Sequence, residues 1–335
     1  MTRVTLIPGD GIGPEIADYT VQVLEAAGAD IQWDVQEAGQ AVYEATGELI
    51  PDPVYQSIEA NGLALKGPMT TPIGTGFRSA NVALRKKYDL YANLRPVRSL
   101  GQVPALFDDL DLVLFRENTE DLYAGVEEKI SDDVMHSIKI ITRQASERII
   151  RQAFDYAQDH HRRHVTVVTK ANIMKLSNGL FLDTARQVAQ DYPEIPLKEV
   201  LVDNMAMQLV INPKQFDVIV TENLYGDILS DLMAGLIGGL GLVPGANIGD
   251  NLAIFEAVHG SAPDIAGQGK ANPTAMILSA CLLLDHIGQT DCAQKIRQSL
   301  DRVLSQKEKL TADLGGPASG SEYCQALCQD LKNNK

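Results

Sequence analysis

The chain has 335 residues, 45% of them hydrophobic, and carries a net charge of −15 with a pI near 4.8. That length suits two domains or one large α/β unit with a sizeable core. The acidic balance argues against nucleic acid or an anionic membrane surface as the main partner, because both reward a basic footprint. An anionic ligand would have to be held by a local basic cluster. The four cysteines, Cys281, Cys292, Cys324 and Cys328, follow neither a disulfide framework nor a two-pair zinc spacing, so they read as reduced and structural. No signal or membrane-spanning segment is recognisable, and the expectation is a cytoplasmic enzyme.

From the start, Val4, Thr5, Leu6 and Ile7 form an apolar run that predicts a buried strand. Pro8-Gly9-Asp10-Gly11-Ile12-Gly13-Pro14-Glu15 follows, then a helix with Ile16, Val23, Leu24 and Ala27 on one side. The third glycine of a dinucleotide fingerprint would fall on Pro14, so this is not a Rossmann unit, and Pro14 instead suits the first helical position. Alternating Ile31, Trp33 and Val35 predict a strand, residues 53–61 a helix and residues 63–66 another strand. This alternation favours an α/β sheet covered on both faces.

Residues 66–76 are dense in turn residues and hydroxyls and lead into Arg78-Ser79-Ala80-Asn81-Val82-Ala83-Leu84-Arg85. Residues 88–95 predict a strand ending in Arg95, and residues 111–115 one ending at Arg116. Arginines at element ends can clamp carboxylates, since the planar guanidinium matches two oxygens. Each taken singly also reads as a surface arginine of an acidic protein. His160-His161-Arg162-Arg163-His164 sits between a helix and the strand at 165–169, and it reads as a helix C-terminus with cations near the dipole's negative end rather than as a metal site.

Asp217, Val218, Ile219, Val220 and Thr221 predict a strand, and Ile228, Leu229, Leu232 and Ile237 recur with helical spacing. The acids Asp227 and Asp231 are four apart and project from one helix face, with the helix expected to begin near Tyr225. Such a pair suits Mg²⁺ or Mn²⁺, which take oxygen ligands. It also suits a helix N-terminus with one acid on the dipole and one in solvent. The apolar run at 275–284 is too short to span a bilayer and reads as a core helix.

Several blocks resemble the β-decarboxylating dehydrogenases, the family of isocitrate and 3-isopropylmalate dehydrogenases. They are Arg78-Ser79 with Asn81 and Arg85, Leu90-Tyr91-Ala92-Asn93-Leu94-Arg95-Pro96, and Arg116-Glu117-Asn118-Thr119-Glu120-Asp121-Leu122-Tyr123-Ala124-Gly125. Lys170-Ala171-Asn172-Ile173-Met174-Lys175, Asp203, Asn223 to Asp231 and His259-Gly260-Ser261-Ala262-Pro263-Asp264-Ile265-Ala266-Gly267 continue in family order. The resemblance implies a two-domain α/β fold with a large mixed sheet flanked by helices. Residues 1–97 and 237–335 would form the large cofactor-binding domain, and 98–236 the small domain with the dimer interface.

The family oxidises a hydroxyl next to a carboxylate by hydride transfer to a nicotinamide, and the β-keto acid then loses CO₂. By resemblance, Asp227 and Asp231 bind Mg²⁺ or Mn²⁺ with Asp203 supplied by the partner subunit. Arg85, Arg95 and Arg116 clamp the substrate. Lys170, also from the partner, takes part in removing the hydroxyl proton, and Tyr123 protonates the enolate carbon. Taken alone, Tyr123 would be an interfacial core residue and Lys170 a surface charge.

Ser79 and Asn81 supply donors for a third carboxylate, which favours isocitrate over 3-isopropylmalate. Homoisocitrate, one methylene longer, is the nearest competitor, and tartrate- or malate-type substrates fit less well. The cofactor would lie against Thr71 and the loop His259, Gly260, Ser261, Ala262, Asp264, Ile265 and Asn272. Asp264 can accept from ribose hydroxyls but repels a 2′-phosphate, so NAD is expected, with nothing basic nearby to welcome NADP. As an alternative, Asp264 is a turn acid after Pro263. A strand at 136–142 would belong to a clasp between subunits of a homodimer. The competing class is a non-catalytic regulatory subunit, against which stands the presence of Tyr123, Lys170, Asp203, Asp227 and Asp231.

Overall fold

The structure is a computed structural model that describes residues 1–70, 79–101 and 103–334. Thr71, expected at the cofactor, and Arg78 lie outside the described residues. In chain order the elements are β1 (Thr2–Ile7), α1 (Gly13–Ala27), β2 (Ile31–Val35), α2 (Gln40–Thr46), α3 (Asp52–Asn61), β3 (Leu63–Lys66), α4 (Ala80–Lys87), β4 (Ala92–Arg98) and β5 (Asp111–Glu117). A 3-10 turn (Leu122–Ala124) precedes β6 (Glu127–Ser131), β7 (Val134–Ser137), α5 (Arg143–Asp159), β8 (Val165–Thr169), α6 (Ser177–Val188), β9 (Leu197–Leu201), α7 (Val202–Ile211) and β10 (Val218–Thr221). The rest is α8 (Asn223–Leu236), β11 (Pro244–Ile248), β12 (Ala253–Ala257), α9 (Thr274–His286), α10 (Thr290–Leu304) and α11 (Gly320–Asn333).

Among the described residues, ten strands form one mixed sheet in the order β2-β1-β3-β12-β11-β4-β5-β10-β8-β9. Pairs β11–β12, β11–β4 and β4–β5 are antiparallel, and the other pairs are parallel. Helices cover the sheet, so β8, β10 and β12 are buried along their whole length, and their sequences are largely apolar and β-branched, with Glu256 of β12 the charged exception. Helix α9 is buried on nearly every side, as its all-round apolar sequence requires, and packs against β11, β12 and helices α1 and α10.

Two strand expectations are corrected. The strand predicted at 88–95 begins at Ala92, because Asp89 takes a left-handed φ of 46° that ends α4 in a turn. The strand predicted at 136–142 stops at Ser137, where β7 of the exposed β6–β7 hairpin ends, and Thr142 instead caps α5 through its side chain.

Candidate active site

Strand register collects the polar residues of the site on one face of the sheet. Lys66 pairs with Glu256, Glu256 with Gly245, Asn247 with Asn93, and Asn93 with Arg116. Since residues two apart on a strand share a face, Arg95 joins this set. The opposite face carries Leu94, Phe115, Ala246 and Phe255, which belong to the main core. Helix α4 adds Asn81 and Arg85 one turn apart, anchored by buried Ala80 and Leu84.

Together these residues line a cavity of about 130 Å³ with Lys66, Asn81, Arg85, Asn93, Arg95, Glu256 and His259 on its wall. Glu256 lies 2.7 Å from Lys66 Nζ and 3.1 Å from Arg85 Nη2. Burial opposes its charge, but Lys66 and Arg85 outweigh that and hold its carboxyl well below the usual range. Several buried polar atoms facing this region have no partner within the protein: Asn81 Oδ1, Asn93 Oδ1, Arg85 Nε, Arg95 Nε and His259 Nε2. Orphaned polar atoms on a cavity wall suit a polar ligand.

Next to Arg95, which lines the cavity, α8 presents both acids. Arg116 is 1% exposed, donates from Nε to Asn223 Oδ1 at 2.8 Å and from Nη1 to Asp227. Arg95 donates to Ser230 and stands 4.0 Å from Asp227 and 3.8 Å from Asp231, so a guanidinium relieves the repulsion within the acid pair. Burial, with Arg116 and Arg85 nearby, pushes the Arg95 pKa down to about 9, still cationic at neutral pH. Tyr123, on the 3-10 turn, donates its hydroxyl to Asp227 and lies under Arg116, 5.0 Å from guanidinium carbon to ring centroid. Burial and then the Asp227 hydrogen bond raise the Tyr123 pKa. For Asp227 burial acts upward, but Arg116 and the Tyr123 hydroxyl hold the carboxyl below its ordinary value.

Lys170 and Asp203 are brought together with each other, Nζ to Oδ1 at 2.6 Å, and not with Asp227. Among the described residues no three acids, histidines or cysteines group as a metal cage. Two carboxylates on one helix face, both solvent-accessible, nonetheless fit Mg²⁺, which keeps several waters.

The loop after β12 is braced from the N-terminal glycines. Ile12 N–H donates to Ser261 O at 2.9 Å, and a Cβ on Gly11 would sit 2.0 Å from that oxygen. Gly11 thus serves close backbone packing against this loop. Ser261 Oγ also meets Thr70 Oγ1 at 2.7 Å. Ala262 has a φ of 39°, Asp264 is exposed, and Ile265 N–H donates back to Ala262 O at 3.2 Å. Asn272 is buried and donates to Asp313 Oδ2 at 3.0 Å. His259 Nδ1 donates to Gly260 O, 3.0 Å away, and burial lowers its pKa. One expectation is modified: Lys270 reaches Gln268 Oε1 at 2.8 Å, and Gln268 donates to Asp264 O, so the loop does contain a cation. Ser79 takes the N-cap position of α4 without a side-chain cap bond.

The sequence matches the family described as isocitrate/isopropylmalate dehydrogenase over residues 3–331. The chain belongs to the isocitrate/isopropylmalate dehydrogenase family. An isocitrate dehydrogenase NAD catalytic subunit 5, mitochondrial, of Arabidopsis thaliana is 49% identical over 328 residues, covering 98% of this chain and 88% of that one. The isocitrate dehydrogenase NAD subunit alpha, mitochondrial, of Bos taurus is 48% identical, with 98% and 90% covered. A crystal structure of isocitrate dehydrogenase from Methylococcus capsulatus superposes with a TM-score of 0.96 at 50% identity, over 99% of this chain and all of the other. The expected two-domain-type α/β fold with a mixed sheet, distinct from a Rossmann unit, is therefore that of this dehydrogenase family. The cytoplasmic expectation is overturned, because these relatives are named mitochondrial, and lack of a recognisable address says nothing of compartment.

Reading the sequence missed Glu256, Asn247 and Asn118, which join Asn93 and the cavity through hydrogen bonds of 2.7 to 3.0 Å. A signal existed: Glu256 interrupts the apolar run Ala253, Ile254, Phe255, and a charge inside a buried strand needs partners.

Proposed function

We propose that this family member is a catalytic subunit that oxidises and decarboxylates isocitrate to 2-oxoglutarate and CO₂ with NAD and a divalent cation, Mg²⁺ or Mn²⁺. The observation that carries this reading is the convergence of Arg85, Arg95 and Arg116 beside the acid pair Asp227 and Asp231. The names of the relatives favour isocitrate and NAD.

The arginines hold the substrate carboxylates, while Glu256 already neutralises Lys66 and part of Arg85, so the cavity is not overcharged. Ser79 and Asn81 donate to the third carboxylate, Asn81 from its amide nitrogen on the cavity wall. When bound, a cation at Asp227 and Asp231 supplies Lewis-acid polarisation and NAD accepts the hydride. Tyr123, raised in pKa and therefore protonated at neutral pH, gives its proton to the substrate carbon after CO₂ leaves. His259, Gly260, Ser261, Ala262, Asp264, Ile265 and Asn272 would hold NAD.

Lys170 and Asp203 act in the site of a partner copy, the first on the hydroxyl proton and the second as a further cation ligand. Exposed Ile173, Leu176, Met207, Val210 and Ile228 surround these residues and favour a homodimer covering this face. The exposed β6–β7 hairpin, with Ile130, Val134 and Met135 outward, is the clasp. Residues 1–97 with 237–335 form one domain and 98–236 the other. The sheet order supports this, with the strands of the second segment contiguous at one end.

The test is NADH formation by the purified chain with Mg²⁺, comparing isocitrate, homoisocitrate, 3-isopropylmalate and tartrate, each with NAD and NADP. Isocitrate with NAD should be preferred, and a chelator should abolish turnover. A preference for homoisocitrate would overturn the roles of Ser79 and Asn81, and binding without turnover would make the chain regulatory.

A further inference from the structure

Tyr123 and Asp227 come from segments about a hundred residues apart, and one buried acid ties those segments together. Asp121 is 0% exposed. Its Oδ1 accepts from Leu122 N–H at 2.8 Å, at the start of the Tyr123 turn, and its Oδ2 accepts from Leu224 N–H at 2.8 Å, in the first turn of α8. Glu222, at the N-cap position of α8, makes no side-chain cap of its own, so Asp121 satisfies a helix N–H from outside the helix. Lys139 Nζ closes the arrangement, 3.1 Å from Asp121 Oδ1 and 2.8 Å from Glu222 Oε2, and lies over the Tyr225 ring at 4.5 Å.

The backbone of Asp121 has φ 69° and ψ −148°, a region that glycine alone visits freely. A fully buried charge in a strained conformation is retained only where its contacts over-determine it. The contacts here run to the Tyr123 turn, to α8 and to Lys139.

We propose that Asp121, braced by Lys139 and Glu222, is a positioning residue that fixes the Tyr123 turn against the N-terminus of α8, so that the Tyr123 hydroxyl meets the Asp227 carboxylate. This rests on the proton-donor role proposed for Tyr123. Asp121 itself touches neither substrate nor cofactor; it acts through Tyr123.

The experiment is a double-mutant cycle on the full chain with isocitrate, NAD and Mg²⁺, using Asp121→Gly, Tyr123→Phe and the pair. Glycine accepts the φ of this position, so the variant removes the carboxylate while relieving the backbone. Asp121→Gly should lower kcat by about 10-fold with KM for isocitrate changed less than about 2-fold. In the Tyr123→Phe background the same change should cost less than about 2-fold. Asp121→Asn, whose amide oxygen still accepts from Leu224 N–H, should recover most of the rate. If Asp121→Gly does not fold, Lys139→Gln takes its place in the cycle with the same expected non-additivity. A slow Tyr123→Phe enzyme with fully additive losses would overturn the positioning role alone. A Tyr123→Phe enzyme with undiminished kcat would overturn the proton-donor reading and this inference with it.

Discussion

Lys170 Nζ stands 2.6 Å from Asp203 Oδ1, and the two residues pair on a face that also exposes Ile173, Leu176, Met207 and Val210. Asp203 is 65% exposed, and an ion pair so open contributes little to folding. Lys170 comes directly after β8 and Asp203 lies in the first turn of α7, beside that strand's neighbour β9. Both are partly exposed and engage each other rather than the acids Asp227 and Asp231 of their own chain. A second copy seated on the apolar face would meet them.

Gly226 is where α8 lets Arg116 pass. A Cβ there would lie 2.5 Å from Arg116 Cγ and 2.7 Å from its Cβ, atoms too near the backbone to swing aside. Gly226→Ala should therefore displace the guanidinium that reaches Asn223 and Asp227. We expect KM for isocitrate to rise at least about 10-fold and stability to fall by about 1–3 kcal/mol. Initial rates and thermal unfolding check this, and an unchanged KM would remove Arg116 from the substrate clamp.

Glu222 makes stability depend on pH. Burial, partly offset by Lys139, pushes its carboxyl up to about 7 from 4.5, and its Oε1 has no partner. The folded chain therefore holds a proton that the unfolded chain has released between those values. The contribution is complete below about 4.5 and is lost as pH rises through about 7. Relative to Glu222→Gln, the parent should lose on the order of 2 kcal/mol between about pH 5 and about pH 8. Urea unfolding at both pH values measures it, and parallel losses in the two proteins would contradict the assignment.

Asp264 is exposed in the loop proposed to hold the cofactor, with Lys270 held on Gln268. Replacing Asp264 by Lys and Ile265 by Tyr places a cation and a ring where the 2′-phosphate of NADP would sit. The ratio of kcat/KM for NADP over NAD should rise by about 10-fold or more. A ratio unmoved by the double substitution would mean that another part of the loop reads the ribose.

Much of this was legible in the residues themselves. The runs at β8, β10 and α9 are apolar enough to announce burial, and the spacing of Asp227 and Asp231 puts both on one helix face. Arg116 does stand next to the end of β5, but β4 runs on to Arg98 and puts Arg95 in mid-strand, so its place in the site comes from sheet register rather than from a strand end. What the sequence hid was tertiary. Glu256 meets Lys66 and Arg85 only through the register of β3 with β12 and the packing of α4. Asp121 gives no local sign that its carboxylate will cap a helix beginning a hundred residues later. The strand expected at 136–142 failed because its alternating apolar residues belong to an exposed hairpin and a helix cap rather than to the sheet.

The most direct test of a site assembled from two chains is complementation between two inactive variants, Lys170→Met and Asp227→Asn. Each alone should retain less than about 1% of the parent kcat. Unfolded together and refolded as a mixture, half the dimers would be hybrids, each with one intact site, so activity should return to about a quarter of the parent value. No recovery in a mixture shown to contain hybrid dimers would contradict the shared site, and would require Lys170 and Asp227 to serve the same chain.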